Sequence, residues 1–158
     1  MLTPPSALEI GKAAEHLVCA DLLMQGVPAF LSDQGMPFDV IAPVGDRLIR
    51  IQVKATLQPK SIVPKNGGKT HRSHGYQFHV RRRGRDGKGS RLSDMHCDIV
   101  ALVALDVRAV AYLPVNLCSQ TVTLFPVGHV FKKNYRRARE TTVAELPFFE
   151  ALAVQCLV

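Results

Sequence analysis

One predicted β-hairpin brings together a carboxylate, an amide and an ammonium group that could act jointly in catalysis. The segment from Arg47 to Ala55 alternates apolar and polar residues, as a half-buried strand does, and Gln52 and Lys54 share its polar face. The preceding Gly45-Asp46 predicts a two-residue turn, and counting outward from that turn places Asp39 opposite Gln52. Residues paired in this way point to the same face, with β-carbons about 4.5 to 5.5 Å apart. We therefore expect Asp39, Gln52 and Lys54 to converge.

These three residue types suit metal-assisted hydrolysis of a phosphodiester. A hard divalent cation such as Mg²⁺ or Mn²⁺ prefers oxygen ligands, which the Asp39 carboxylate and the Gln52 amide can supply. Such a cation activates a coordinated water and polarises the phosphoryl oxygen, while the Lys54 ammonium would offset charge on the phosphate. All three are predicted catalytic residues, with Asp39 and Gln52 as metal ligands. The pattern is short, and its alternative interpretation is a solvated strand face.

The elements that must position this hairpin show both helix and strand patterns. Ser6 followed by Glu9 is a capping box, and apolar residues recur at helical spacing up to Gly26, which predicts a helix from Ala7 to Gln25. Strands are predicted at 29–31, 38–42, 47–55, 76–80, 98–105, 109–113 and 121–125, and a short helix at 148–154. Residues 57–75 are expected to form a long surface loop, and the strands at 98–105 and 109–113 a central, buried pair. The order predicts an α/β fold, a mixed sheet flanked by helices, in a single domain over residues 1–158.

The composition favours a polyanionic partner. Twenty Lys and Arg against thirteen Asp and Glu give a net charge of +7 and a pI near 9.5, so the surface should attract nucleic acid. Such basic clusters are usually solvated faces, but beside a hydrolytic site they become plausible phosphate contacts. The residues predicted to contact DNA are Lys60, Lys65, Lys69, Arg72, Arg81, Arg82, Arg83, Arg85, Lys132, Lys133, Arg136 and Arg137.

Cysteine usage and hydropathy indicate a reduced environment without a membrane. The four cysteines lie far apart and form no C-x-x-C pair, which suggests neither a zinc ribbon nor a disulfide scaffold. The longest apolar run, Ile99 to Leu105, is too short to span a bilayer, and we expect no signal peptide. A soluble, cytoplasmic protein is therefore expected. His71-x-x-His74 has usable zinc-ligand spacing, but no second pair accompanies it, so polar loop residues are the favoured interpretation.

Asp39 followed by Gln52-Val53-Lys54 resembles the PD-(D/E)XK nuclease family, in the variant where glutamine replaces the second acid. The apolar strand ending in Gln-Val-Lys is most similar to the group I intron homing endonucleases of this fold. The resemblance implies a restriction-endonuclease-like core, with Glu15 as an auxiliary catalytic residue and metal ligand and the Val53 carbonyl as a further ligand. It also implies homing-type cleavage of double-stranded DNA with Mg²⁺ or Mn²⁺ by a homo-oligomer, either a dimer or a tetramer. Gly11, one turn before Glu15, is expected to let the helix approach the sheet closely.

Two other functions are compatible with the same residues. Because one fold hosts many activities, a branched-DNA resolvase or a repair nuclease is the nearest alternative. A protein that binds DNA without cleaving it is the alternative from another class. Gln52 supports that alternative, since a neutral ligand leaves the site one anion short and weakens metal binding unless Glu15 contributes.

Overall fold

Residues 3–62, 73–83, 89–128, 141–142 and 146–155 are described by the computed structural model. Along the chain they form helix α1 (Ala7–Met24), strands β1 (Phe30–Leu31), β2 (Val40–Val44), β3 (Arg47–Thr56), β4 (Lys60–Ile62), β5 (Ser73–His79), β6 (Arg81–Arg83), β7 (Gly89–Arg91), β8 (Ile99–Ala104), β9 (Ala109–Pro114), β10 (Thr121–Phe125) and β11 (Thr141–Thr142), and helix α2 (Phe148–Gln155). A short 3-10 turn, Val115–Leu117, follows β9. Apart from the strand expected at 76–80, the predicted elements begin and end within two residues of these bounds.

The main sheet has five strands in the order β1-β2-β3-β8-β9. Strands β3 and β8 run parallel, whereas the other neighbours are antiparallel, so the sheet is mixed as predicted. In the β2–β3 hairpin Gly45 has a φ of 58°, which a tight two-residue turn requires. Pairing starts at Val44 with Arg47 and continues to Val40 with Ile51. This is the register that was predicted from the turn.

Two apolar cores cover the two faces of this sheet. On one face, alternate residues of β3 such as Ile49 and Ile51 pack with α1 and α2. On the other face, Val100 and Leu102 of β8 pack against β5 and β10. The expected central pair of β8 and β9 is wrong in part. The β2–β3 and β8–β9 hairpins join through the parallel pairing of β3 with β8, so β3 is the central strand. Strand β9 lies at the edge of the sheet, where α2 packs on it.

A second sheet, in the order β11-β10-β5-β4, packs on the face opposite the helices. The expectation of a loop over 57–75 is wrong at both ends, because Lys60–Ile62 pairs antiparallel with the start of β5. Polar residues can form the main-chain hydrogen bonds of a sheet, and tertiary contacts override their low strand propensity. The pairing also needs Gly75, where a β-carbon would lie 2.7 Å from Ile62 Cδ1 and 3.2 Å from the Leu124 carbonyl oxygen.

The connection from β3 to β8 runs through strands, and the described part of 57–97 contains no helix. Strands β6 and β7 pair only with each other among the described residues, as a two-stranded ribbon. This ribbon lies in a segment rich in arginine and glycine. The described helices therefore cover one face of the main sheet, and strands cover the other.

Polar contacts fix α1 on the sheet. Ser6 and Glu9 form the predicted capping box at its start, and further along Tyr112 Oη donates to Asp21 Oδ2 at 2.6 Å, which ties the helix to β9.

The described cysteines, Cys19, Cys97 and Cys118, are free thiols. Neither α1 nor α2, the helices of the described part of the chain, is long and apolar enough to cross a membrane.

Candidate active site

Asp39 lies where β2 separates from β3, and the neighbouring strand holds its carboxylate. Its main-chain N–H donates to the Ile51 carbonyl at 2.9 Å. Asp39 Oδ2 accepts one hydrogen bond from the Val53 main-chain N–H at 2.8 Å and another from Gln52 Nε2. One carboxylate oxygen is thus fixed by two donors, and the side chains of Asp39 and Gln52 are in contact.

Burial changes the acid–base behaviour of two groups at this position. It raises the pKa of Asp39, an effect that the hydrogen bond from Val53 opposes and the nearby Glu15 carboxylate reinforces. It lowers the pKa of Lys54, an effect that the Asp39 carboxylate partly offsets. A carboxylate and an ammonium group therefore lie near each other in a poorly solvated environment, where electrostatic interactions are stronger than in water.

Glu15 and Lys12 of α1 face Asp39 across a pocket of about 370 Å³. Lys12 Nζ lies 2.7 Å from Glu15 Oε2, and the Glu15 side chain is only 14% exposed. This hydrogen bond raises the pKa of Lys12. Lys12 is not among the site residues predicted from the sequence, although its spacing of three residues from Glu15 places both on one helix face. Asp33 also lines the pocket, which thus combines three carboxylates with an ammonium group.

Lys54 lines a second pocket, of about 430 Å³, together with Val53 and the first turns of α1. The hydrogen bond from Val53 to Asp39 joins the linings of the two pockets. Gly11 also borders the second pocket, and a β-carbon at this position would meet nothing within 4 Å. The expectation that Gly11 permits a close approach of helix to sheet is therefore wrong, because this part of the helix faces open space.

The side-chain oxygen atoms around Asp39 suit the coordination of a hard divalent cation. Among the described residues, Asp39 Oδ1, Gln52 Oε1 and Glu15 Oε1 have no hydrogen-bond partner, and Mg²⁺ and Mn²⁺ bind oxygens of this kind. No three or more His, Cys, Asp and Glu side chains in the described ranges lie close enough to share a metal ion. A metal here would therefore need the Gln52 amide and main-chain oxygen in addition to the two carboxylates.

Arg50, two residues before Gln52 on β3, anchors the residues that lead into β8. Its guanidinium donates to both carboxylate oxygens of Asp98, at 2.8 and 3.1 Å, and to the carbonyls of Asp94 and Met95. Its main-chain N–H also donates to Asp98 Oδ2 at 2.8 Å. This contact holds β3 beside β8 next to the candidate site. It was not predicted, because no local pattern links residues 48 positions apart.

The structure describes four of the residues predicted to contact DNA. Lys60 is exposed on β4 and lines the second pocket. Arg81 is exposed on β6 and donates to Gln120 Oε1 at 2.7 Å, and Arg82 and Arg83 complete that strand. The other residues predicted to contact DNA lie outside the described residues; they are Lys65, Lys69, Arg72, Arg85, Lys132, Lys133, Arg136 and Arg137. His71 also lies outside the described residues.

The whole fold is similar to that of a solved protein. The chain superimposes on a bacterial homing endonuclease, I-Ssp6803I, with a TM-score of 0.66 over 96% of this chain and 95% of that chain, at 16% sequence identity. A similarity at this identity establishes a shared fold, and it confirms the predicted α/β architecture. No protein-family model and no curated protein matches the sequence.

Proposed function

We propose that this protein is a metal-dependent DNA endonuclease that hydrolyses phosphodiester bonds at a site formed by Asp39, Gln52, Val53, Lys54 and Glu15. The observation that carries the proposal is the Asp39 carboxylate, which Gln52 and Val53 hold in place beside the charge of Lys54. The fold shared with a homing endonuclease supports it.

Each residue has a role that follows from its chemistry and contacts. The side-chain oxygens of Asp39, Gln52 and Glu15 and the carbonyl of Val53 would hold Mg²⁺ or Mn²⁺, which supplies an activated water and a polarised phosphoryl oxygen. The two hydrogen bonds to Asp39 keep its carboxylate in one orientation, so binding requires little rearrangement of this ligand. The half-buried Lys54 ammonium would offset the charge that develops on the phosphate.

Double-stranded DNA is the proposed substrate. The net charge of +7 favours a polyanion, and exposed basic residues such as Lys60 on β4 and Arg81 on β6 would contact phosphates. One site cuts one strand at a time, and two sites related by symmetry can cut both strands of a duplex together. For this reason we propose that homing-type, site-specific cleavage is carried out by a homo-oligomer, a dimer or a tetramer.

Cleavage assays on three DNA forms test this proposal. Supercoiled, linear and four-way-junction DNA are incubated with Mg²⁺ or with a chelator, using the parent protein, Asp39→Ala and Lys54→Ala. We expect the parent to cut DNA only when Mg²⁺ is present, and both variants to be at least about a hundredfold slower, the loss typical of removing one charge-stabilising group.

The other outcomes separate the alternatives. Cleavage that survives both substitutions would place the chemistry elsewhere in the protein. A strong preference for the junction would identify a resolvase rather than a site-specific endonuclease. Binding to all three DNA forms without cleavage would identify a DNA-binding module, in which the neutral Gln52 leaves too few anionic ligands to hold the metal.

A further inference from the structure

The pocket between α1 and Asp39 contains a charged group, the Lys12 ammonium, to which the proposed catalytic roles assign no part. Glu15 and Asp39 both face this pocket, and the charge of Glu15 disfavours ionisation of Asp39. Lys12 brings its ammonium to 2.7 Å from Glu15 Oε2. This side chain therefore neutralises part of the charge of the two acids.

The Lys12–Glu15 contact differs from an ordinary ion pair on a helix surface. Exposed pairs contribute little, because water and salt screen both partners. Here the acid is only 14% exposed, so one partner of the pair is shielded from water, whereas the lysine side chain is 43% exposed. A second carboxylate, Asp39, lines the same pocket. The ammonium thus provides the positive charge that a bound cation would otherwise supply.

We propose that Lys12 is an internal counterion that occupies Glu15 in the metal-free protein and must release it when a divalent cation binds. This inference rests on the proposed function, because it takes Asp39 and Glu15 as metal ligands. A divalent cation at Glu15 would repel an ammonium 2.7 Å from the same carboxylate. The flexible four-carbon stem of lysine allows the ammonium to withdraw towards solvent. Lys12 is therefore a positioning residue that lowers metal affinity and controls when Glu15 becomes a ligand.

Calorimetric titration with Mn²⁺ at constant ionic strength tests this role without depending on cleavage. We expect Lys12→Met and Lys12→Gln each to bind Mn²⁺ about tenfold more tightly than the parent, because Glu15 then has no ion pair to break before it coordinates the cation. Arg47→Met is the matched control, since it removes the same charge from the turn end of β3, about 17 Å along the strand from Gln52. Its affinity should stay within about twofold of the parent, because salt screens charges beyond about 10 Å.

A double-mutant cycle shows whether Lys12 acts through Glu15. In a Glu15→Gln protein, adding Lys12→Met should change the Mn²⁺ affinity by less than about twofold, since the contact is already lost. A tenfold gain that persists in this background would overturn the inference, as would unchanged or weaker binding by both Lys12 variants. If the parent binds Mn²⁺ no better than Asp39→Asn does, the proposed metal site fails and the inference with it. If the parent binds through Asp39 but ignores Lys12, only the inference fails.

Discussion

Lys54→Met should separate catalysis from folding, because the two effects of this substitution have opposite signs. Burial lowers the pKa of Lys54, so the ionised lysine is less favourable in the folded chain than in the unfolded chain. The parent therefore loses stability as the pH falls and lysine becomes protonated. Methionine fills similar space without the charge. The melting temperature of Lys54→Met at pH 7 should equal or exceed that of the parent, and the difference should shrink as the pH approaches the ordinary lysine value of 10.5.

The same substitution should nearly abolish cleavage. A unit charge about 4 Å from a phosphate oxygen interacts with it by about 4 kcal/mol at an effective dielectric constant of about 20. Part of this interaction already exists in the bound ground state, and only the part gained in the transition state accelerates the reaction. Removal of a single preorganised charge-stabilising group typically slows turnover by about 10²- to 10³-fold. We expect a loss in this range for Lys54→Met.

Single-turnover nicking of a supercoiled plasmid at saturating Mg²⁺ measures the loss, and thermal melts on the same preparations measure stability. Arg47→Met is the control for charge, because Arg47 is exposed and lies seven residues, about 23 Å, from Lys54 along β3. It should cleave at a rate close to that of the parent. A slowing of less than about tenfold by Lys54→Met would refute the catalytic role, and a marked fall in its melting temperature would refute the argument from burial.

Three further predictions follow from contacts in and around the site. Gly11→Ala should raise the free energy of unfolding by about 0.5 to 1 kcal/mol, because it adds a helix-favouring residue beside open space. Gly75→Ala should lower it by about 1 to 3 kcal/mol through overpacking. If urea denaturation showed both variants to be more stable, or both to be less stable, than the parent, this explanation would be contradicted. Asp98→Asn leaves the partly exposed Arg50 guanidinium without its counter-charge and should cost about 1 to 3 kcal/mol in the same measurement. A loss below about 0.5 kcal/mol would show that the pair behaves as a surface contact. Asp39→Asn should abolish Mn²⁺ binding in calorimetry without lowering the melting temperature at pH 7. Burial raises the pKa of Asp39, so its ionisation destabilises the parent as the pH rises above the ordinary value of 3.8, and the advantage of the variant should vanish below that pH. A lower melting temperature of Asp39→Asn at pH 7 would contradict this explanation.

The hairpin could be predicted because everything that determines it lies within a few residues. Gly45 supplies the positive φ of the turn, the alternation along β3 decides which face is buried, and pairing then follows by counting. The strands β4 and the start of β5 could not be predicted in this way. Their residues are mostly polar and carry no periodic apolar signal. They pair because the second sheet offers partners and because Gly75 leaves room for Ile62.

The candidate site itself combines both kinds of information. The contact between Asp39 and Gln52 depends on one local turn, so it survives any change elsewhere that leaves the hairpin folded. The position of Glu15 relative to Asp39 depends instead on how α1 packs on the sheet through residues such as Val18 and Leu22, which no local pattern determines. Sequence changes in that packing face should therefore alter metal affinity through Glu15 and Lys12 while leaving the Asp39 hydrogen bonds intact. Two proteins with the same hairpin motif can for this reason differ in how tightly they hold a metal.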